Sequence, residues 1–168
     1  MPFSPIPIPS SIPIPAIGIV GRIEIVMIPS APNKPWTAFT GHNLFTNVGR
    51  SALATVLVGV PNSITYPDWI AIGTGTASAT ANAATGLQFE INRSQVTTRE
   101  LRTQVTARFV ASYGTTEGNG TIAELGLFSQ SGVGTGVMFA IASASVVKNS
   151  SNQMQVTWMI GILTGSGV

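Results

Sequence analysis

The sequence predicts an all-β domain: an antiparallel β-sandwich of jelly-roll or Ig-like type, with one short packed helix and an extended Pro-rich N-terminal arm. Three observations predict it. Apolar and polar residues alternate with a period of two in several stretches, the pattern of strands with one buried face. Glycine-rich turns separate these stretches at short spacing, as in all-β domains. Only one stretch carries an apolar stripe at helical spacing. Composition divides the chain into residues 1–35, a Pro/Ile-rich extended arm with the first strand, and residues 36–168, the β-sandwich domain.

The arm holds nine of the eleven prolines, which rules out a helix or a central strand over Pro2–Pro15. Ile6, Ile8, Ile12 and Ile14 stand between these prolines. A solvated linker would carry Ser, Gly or charge there. An arm with isoleucine at alternate positions is expected to lie on a neighbouring subunit, so these four are the candidate partner-binding residues. Ala16–Ile28 follows as a strand, ended by Pro29–Pro35, and Trp36–Asn43 reads as irregular.

Thr46–Val58 is the helix. Thr46 or Asn47 caps its free N–H groups, and Val48, Ala52, Leu53, Val56 and Leu57 form the stripe. Gly59 and Pro61 stop it. Ile64–Thr76 reads as a strand ending in a Gly-Thr turn, and Gln88–Thr98 as a weaker one. Leu101–Gln130 reads as a long antiparallel hairpin at the centre of the domain: a strand to Tyr113, a turn at Gly114–Gly120, and a second strand from Thr121. Val137–Val147 and Gln153–Thr164 complete the set.

Only 8% of the residues are charged, and 44% are hydrophobic. An average soluble domain has about 25% charged residues. The chain is therefore expected to cover much of its exterior with other polypeptide, as a homo-oligomer, a trimer or ring, that also contacts other proteins. No stretch of apolar residues is long enough for a spanning helix, and the aromatic girdles of a membrane β-barrel are missing. Membrane insertion is not expected. The first fifteen residues lack the basic and unbroken apolar regions of a secretory signal. Without cysteine there are no disulfides or thiolate metal sites.

The residues that carry chemistry are sparse. Gly73-Thr-Gly75-Thr-Ala-Ser lacks the third glycine of a dinucleotide fingerprint and the Gly-Lys-Ser/Thr of a phosphate loop, and reads as a β-turn. His42, the one histidine, reads as a loop residue. The six carboxylates are Glu24, Asp68, Glu90, Glu100, Glu117 and Glu124, and spacing singles out no catalytic pair. Arg93, Arg99, Arg102 and Arg108 cluster without a stacking platform, a poor nucleic-acid footprint. Inter-subunit ion pairs from these four arginines to Glu100 and Glu124 are expected instead, since the guanidinium fork suits interface pairing. No cofactor, metal or catalytic residue is expected.

Five segments carry a resemblance, in order: NLFTNVGRSALA, ITYPDWIAIGTGTASATANAATGL, EINR, FVASYGTTEGNGTIAELGLFS and VMFAIASASVVKNSSNQMQVTW. Together they span roughly residues 43–158. The chain resembles a type of β-domain found in virion proteins of tailed bacteriophages and prophages. The resemblance implies a non-enzymatic structural subunit, located in the virion after assembly in the bacterial host cytoplasm, and it transfers no catalytic residue. A tail, neck or fibre-attachment component and a capsid decoration protein both fit. An alternative from another class is a glycan-binding module of a fibre, with Trp36, Trp69, Trp158, Tyr66 and Tyr113 as candidate stacking faces.

Overall fold

A computed structural model describes residues 17–57, 59, 65–76 and 82–164. The described residues form an all-antiparallel β architecture with one short helix. Eight strands are described: β1 (Ile17–Pro29), β2 (Trp36–Phe45), β3 (Trp69–Gly73), β4 (Glu90–Thr103), β5 (Thr106–Tyr113), β6 (Gly120–Phe128), β7 (Met138–Lys148) and β8 (Asn152–Thr164). The helix α1 (Asn47–Leu57) lies between β2 and β3.

The strands form one strongly curled sheet rather than two clearly separate faces, which corrects the expectation of a sandwich. Pairing runs β1-β2-β7-β6-β3-β4-β5-β8 and returns from β8 to β1. Two strands turn the corners. β4 pairs with β3 through its first half and with β5 from Val96 onward, with a bulge at Val96–Thr98. β2 pairs with β1 up to Asn43 and with β7 only at Leu44 and Phe45. Strands that change partner at a bulge make corners of this kind. An eight-stranded barrel has an interior just wide enough to be filled by side chains. Here Ile23, Ile25, Phe109, Tyr113, Val156 and Trp158 are among those that fill it.

The order β6-β3-β4-β5 is a Greek key, in which the fourth strand returns to lie beside the first. Leu101–Gln130 is therefore not a hairpin. Leu101–Tyr113 is broken at Gln104-Val105, where β4 turns into β5. The Gly114–Asn119 segment then carries the chain past two strands to β6. Gly118 has φ +60° and lies so close to Ile72 that a Cβ would overlap that side chain. Lys148 Nζ donates to Asn119 Oδ1 at 2.8 Å and holds the same segment.

β3, the Glu124–Phe128 half of β6 and the Met138–Ala142 half of β7 are buried on both faces. Ile70, Ile72, Leu125 and Leu127 point into the barrel, while Ala71, Phe128, Met138 and Ile141 pack outside it under Ala84 and Leu87. That explains why WIAIG and MFAIA read as unbroken apolar runs. The strand expected over Ile64–Thr76 is confined to Trp69–Gly73, and Trp36–Asn43, expected to be irregular, is most of β2. β1, grouped with the arm on composition, is paired along both edges and is a stave of the barrel.

Thr46 caps α1: the Gly49 N–H donates to Thr46 Oγ1 at 3.0 Å. The Thr46 hydroxyl in turn donates to the Met138 carbonyl, and the Thr46 N–H to Phe139 O, so the cap also rivets the helix to β7. Gly49 sits directly on the Phe139 backbone. The expected stripe is only partly covered. Gly49 is the one buried residue of α1, while Val48, Val56 and Leu57 are exposed.

Candidate functional site

Each of the six acidic side chains, all among the described residues, has a partner within the chain. Thr37 Oγ1 donates to Glu24, Arg99 pairs with Asp68 at 2.5 Å, Arg93 with Glu90, Arg108 with Glu100, and the Gly114 N–H donates to Glu117 at 2.6 Å. Glu124 is fully buried and accepts three backbone N–H groups: Gly75 at 3.1 Å, Gln88 at 3.0 Å and Phe89 at 2.7 Å. The Gly-Thr-Gly-Thr turn is thus built around an internal anion. A Cβ on Gly73 or Gly75 would press on the Glu124 carboxylate, which is why glycine stands at both places. Backbone amides that would otherwise be free for a phosphate already serve this carboxylate.

Arg93 and Glu90 are equally committed. Their side chains are 2% and 4% exposed and make two parallel bonds of 2.7 Å. Arg93 also donates to the Gln130 and Thr135 carbonyls and lies over the Phe128 ring, 3.9 Å from its centroid. It clamps the 129–136 loop to the sheet, a task suited to a planar guanidinium. Neither Arg93 nor Glu124 faces outward to a neighbour. Arg99, Arg102, Arg108 and Glu100 do lie on the surface, where Glu100 takes Arg108 at 2.9 Å and Arg102 at 3.6 Å. The Arg108 hydrogen bond holds the Glu100 carboxyl below its ordinary value.

His42 is exposed on β2, opposite Arg22 on β1. No group of three or more His, Cys, Asp or Glu side chains that could hold a metal occurs among the described residues. Of the aromatic residues weighed for sugar stacking, Trp158 and Tyr113 are buried, Trp69 is half-buried, and Trp36 on β2 and Tyr66 in the segment before β3 are exposed. Tyr113 Oη donates to Ile70 O at 2.6 Å. Ile6, Ile8, Ile12 and Ile14 lie outside the described residues.

One concave surface stands out, and sequence reasoning missed it. At one mouth of the barrel an apolar cavity of about 290 Å³ opens between α1 and the β4–β5 turn. Phe45, Phe109, Phe139 and Ile160 line its depth. Ala52, Leu53 and Val56 of α1 form one wall, and Leu101, Gln104 and Val105 the other. Ile19 of β1 and Tyr66 stand at its edge. Leu101 and Val105, 76% and 51% exposed, are large apolar residues left in solvent at the rim. The helical stripe was the one available signal: its Ala52, Leu53 and Val56 face this cavity. With so few polar groups in the lining, the cavity can bury apolar groups but offers no acid, base or cation for a reaction. Comparison with protein families, with curated proteins and with solved structures finds no match for this chain.

Proposed function

We propose that this chain is a non-enzymatic structural subunit of a tailed-phage virion, a tail, neck or fibre-attachment component that assembles as a trimer or ring through its β-domain and N-terminal arm. The observation that carries the assembly half of this reading is apolar surface on a nearly uncharged chain. Leu57, Leu101, Val147 and Val133 are 69–80% exposed, and only 8% of the residues are charged. Such a surface is stable in water when other polypeptide covers it. The resemblance of residues 43–158 to phage virion β-domains supplies the class. The internal pairing of all six carboxylates favours a structural role over acid–base chemistry. Surface ion pairs of Arg99, Arg102 and Arg108 to a neighbour's carboxylates would add register to such an assembly.

Sedimentation of the purified full-length chain tests the assembly, and quantitative mass spectrometry of purified particles tests the location. A closed oligomer and a copy number matching one ring at a tail or neck are expected. One copy per capsid position would identify a decoration protein instead. A monomer at high concentration, absent from particles, would overturn the proposal.

A further inference from the structure

We propose that the apolar cavity between α1 and the β4–β5 turn is the receptor for the Pro-Ile arm of a second copy of this chain. The inference rests on the reading that the arm clasps a neighbour, and it names where on that neighbour the arm docks.

The chemistry of the two surfaces matches. The cavity is almost wholly apolar, so any occupant with a charged side chain would be stripped of water without compensation. Residues 2–16 carry no charged side chain; the first in the chain is Arg22. Backbone donors pose the same problem in an apolar cleft. Pro5, Pro7, Pro9, Pro13 and Pro15 have no N–H, so every second residue around the isoleucines brings no donor to leave unsatisfied. An ordinary extended peptide would bring twice as many. The isoleucines then supply branched apolar side chains at a fixed spacing, about 6 Å apart for neighbours two residues apart in an extended chain.

The path of the chain selects a second copy over the chain's own arm. β1 begins at Ile17, and Ile19 already stands at the cavity edge. To enter its own cavity, the arm would have to reverse within the few residues before Ile17. Pro13 and Pro15 disfavour helix at Ile12 and Ile14, so the sequence favours an extended lead over one folded back on its own barrel. At about 3.1 Å per residue, an extended lead would have a reach of about 16 Å from Ile17 to Ile12 and about 34 Å to Ile6. A reach of that order would span to the cavity of a copy packed alongside. Each copy would give one arm and receive one. Such a heterologous contact closes into a ring when the rotation per subunit divides the circle.

The absence of native cysteine makes a clean test possible. Two full-length proteins, one carrying Ile12→Cys and the other Gln104→Cys, are co-expressed, assembled and mildly oxidised. Gln104 is exposed at the cavity rim, so its replacement leaves the core intact. A covalent heterodimer at about twice 17.4 kDa is expected. No such product is expected when Val147→Cys replaces Gln104→Cys. Val147 is just as accessible but lies toward the other end of β7 from Phe139. Sedimentation of the unmodified chain runs alongside. An oligomer that gives no Ile12–Gln104 product overturns the docking site while leaving the assembly intact. A covalent homodimer through Gln104→Cys alone, with no coupling to the arm, means that two mouths face each other and also overturns it. So does an Ile12→Cys/Gln104→Cys double variant that cross-links only within one chain. A monomeric chain overturns both this inference and the assembly on which it rests.

Discussion

Glu124 shows how a single residue can be misplaced by correct reasoning. Its charge is the wrong guide, because its partners are main-chain amides that no sequence pattern displays. A bulge between Ile122 and Glu124 also shifts the alternation of β6. Without it Glu124 would follow Ile122 into the barrel. With it, Leu125 and Leu127 take the interior, and Glu124 meets the segment that covers the outer face. The glycines of Gly73-Thr-Gly75 were legible as a turn, but their reason was not, since the carboxylate they accommodate lies about fifty positions away. Glu124→Gln keeps the shape and replaces one acceptor oxygen with an NH2 group that confronts a backbone N–H. Losing charge-assisted bonds to a buried acceptor costs about 3 kcal/mol. The urea midpoint of Glu124→Gln should fall accordingly. Glu100→Gln should leave it nearly unchanged, because the Arg108 and Arg102 bonds are made in solvent. Equal effects of the two substitutions would contradict this assignment of Glu124.

Among the elements, α1 was the most legible and β2 the least. A capping threonine, an apolar stripe and a terminal glycine are local signals, and the helix appears where they place it. β2 has little alternation to read, since Thr37, Thr40, Gly41, His42 and Asn43 interrupt its few apolar residues. It is a strand because β1 offers it an edge. The turn at Gln104-Val105 was hidden for the opposite reason: alternation continues straight through it. How α1 packs was only half legible, because Gly49 looks like a weak point in a helix and is in fact its closest contact. Gly49→Ala tests this. Helix propensity alone would favour alanine by about 1 kcal/mol. A Cβ at this site overlaps the Phe139 backbone, and overpacking against backbone costs about 1–3 kcal/mol. The clash should win. Thermal melts should show Gly49→Ala less stable than the parent, with α1 displaced from β7 and the cavity wall disturbed. A stabilised variant would mean that the helix sits further from the sheet.

For the whole molecule, the sequence showed that the chain is built from antiparallel strands, but not how the strands are ordered. Alternation reports that a strand has a buried face and says nothing about which strand lies beside it. The Greek-key return of β6 to β3 is fixed by contacts across the barrel, and Tyr113 makes one of them. It stands at the end of β5 and donates to Ile70 of β3, joining two strands that β4 separates. Burial pushes the Tyr113 hydroxyl well above its ordinary value of 10.0. The unfolded chain gives up this proton near pH 10 and the folded barrel does not. Stability from Tyr113 is therefore fully present below pH 10 and is lost as pH rises above it. Tyr113→Phe should cost about 1 kcal/mol at neutral pH, the value of one buried hydrogen bond. It should also abolish the alkaline loss. Between pH 9 and pH 11 the stability difference should move against the parent by about 1.4 kcal/mol, enough to cancel or reverse its advantage over Tyr113→Phe. Lys148 acts in the opposite direction, because burial lowers its value and stability from that source rises with pH up to 10.5. That contribution is common to both proteins and cancels in their difference. Urea denaturation of the pair at the two pH values checks the sign, and a difference that stays constant would mean that water reaches the Tyr113 hydroxyl in the folded barrel.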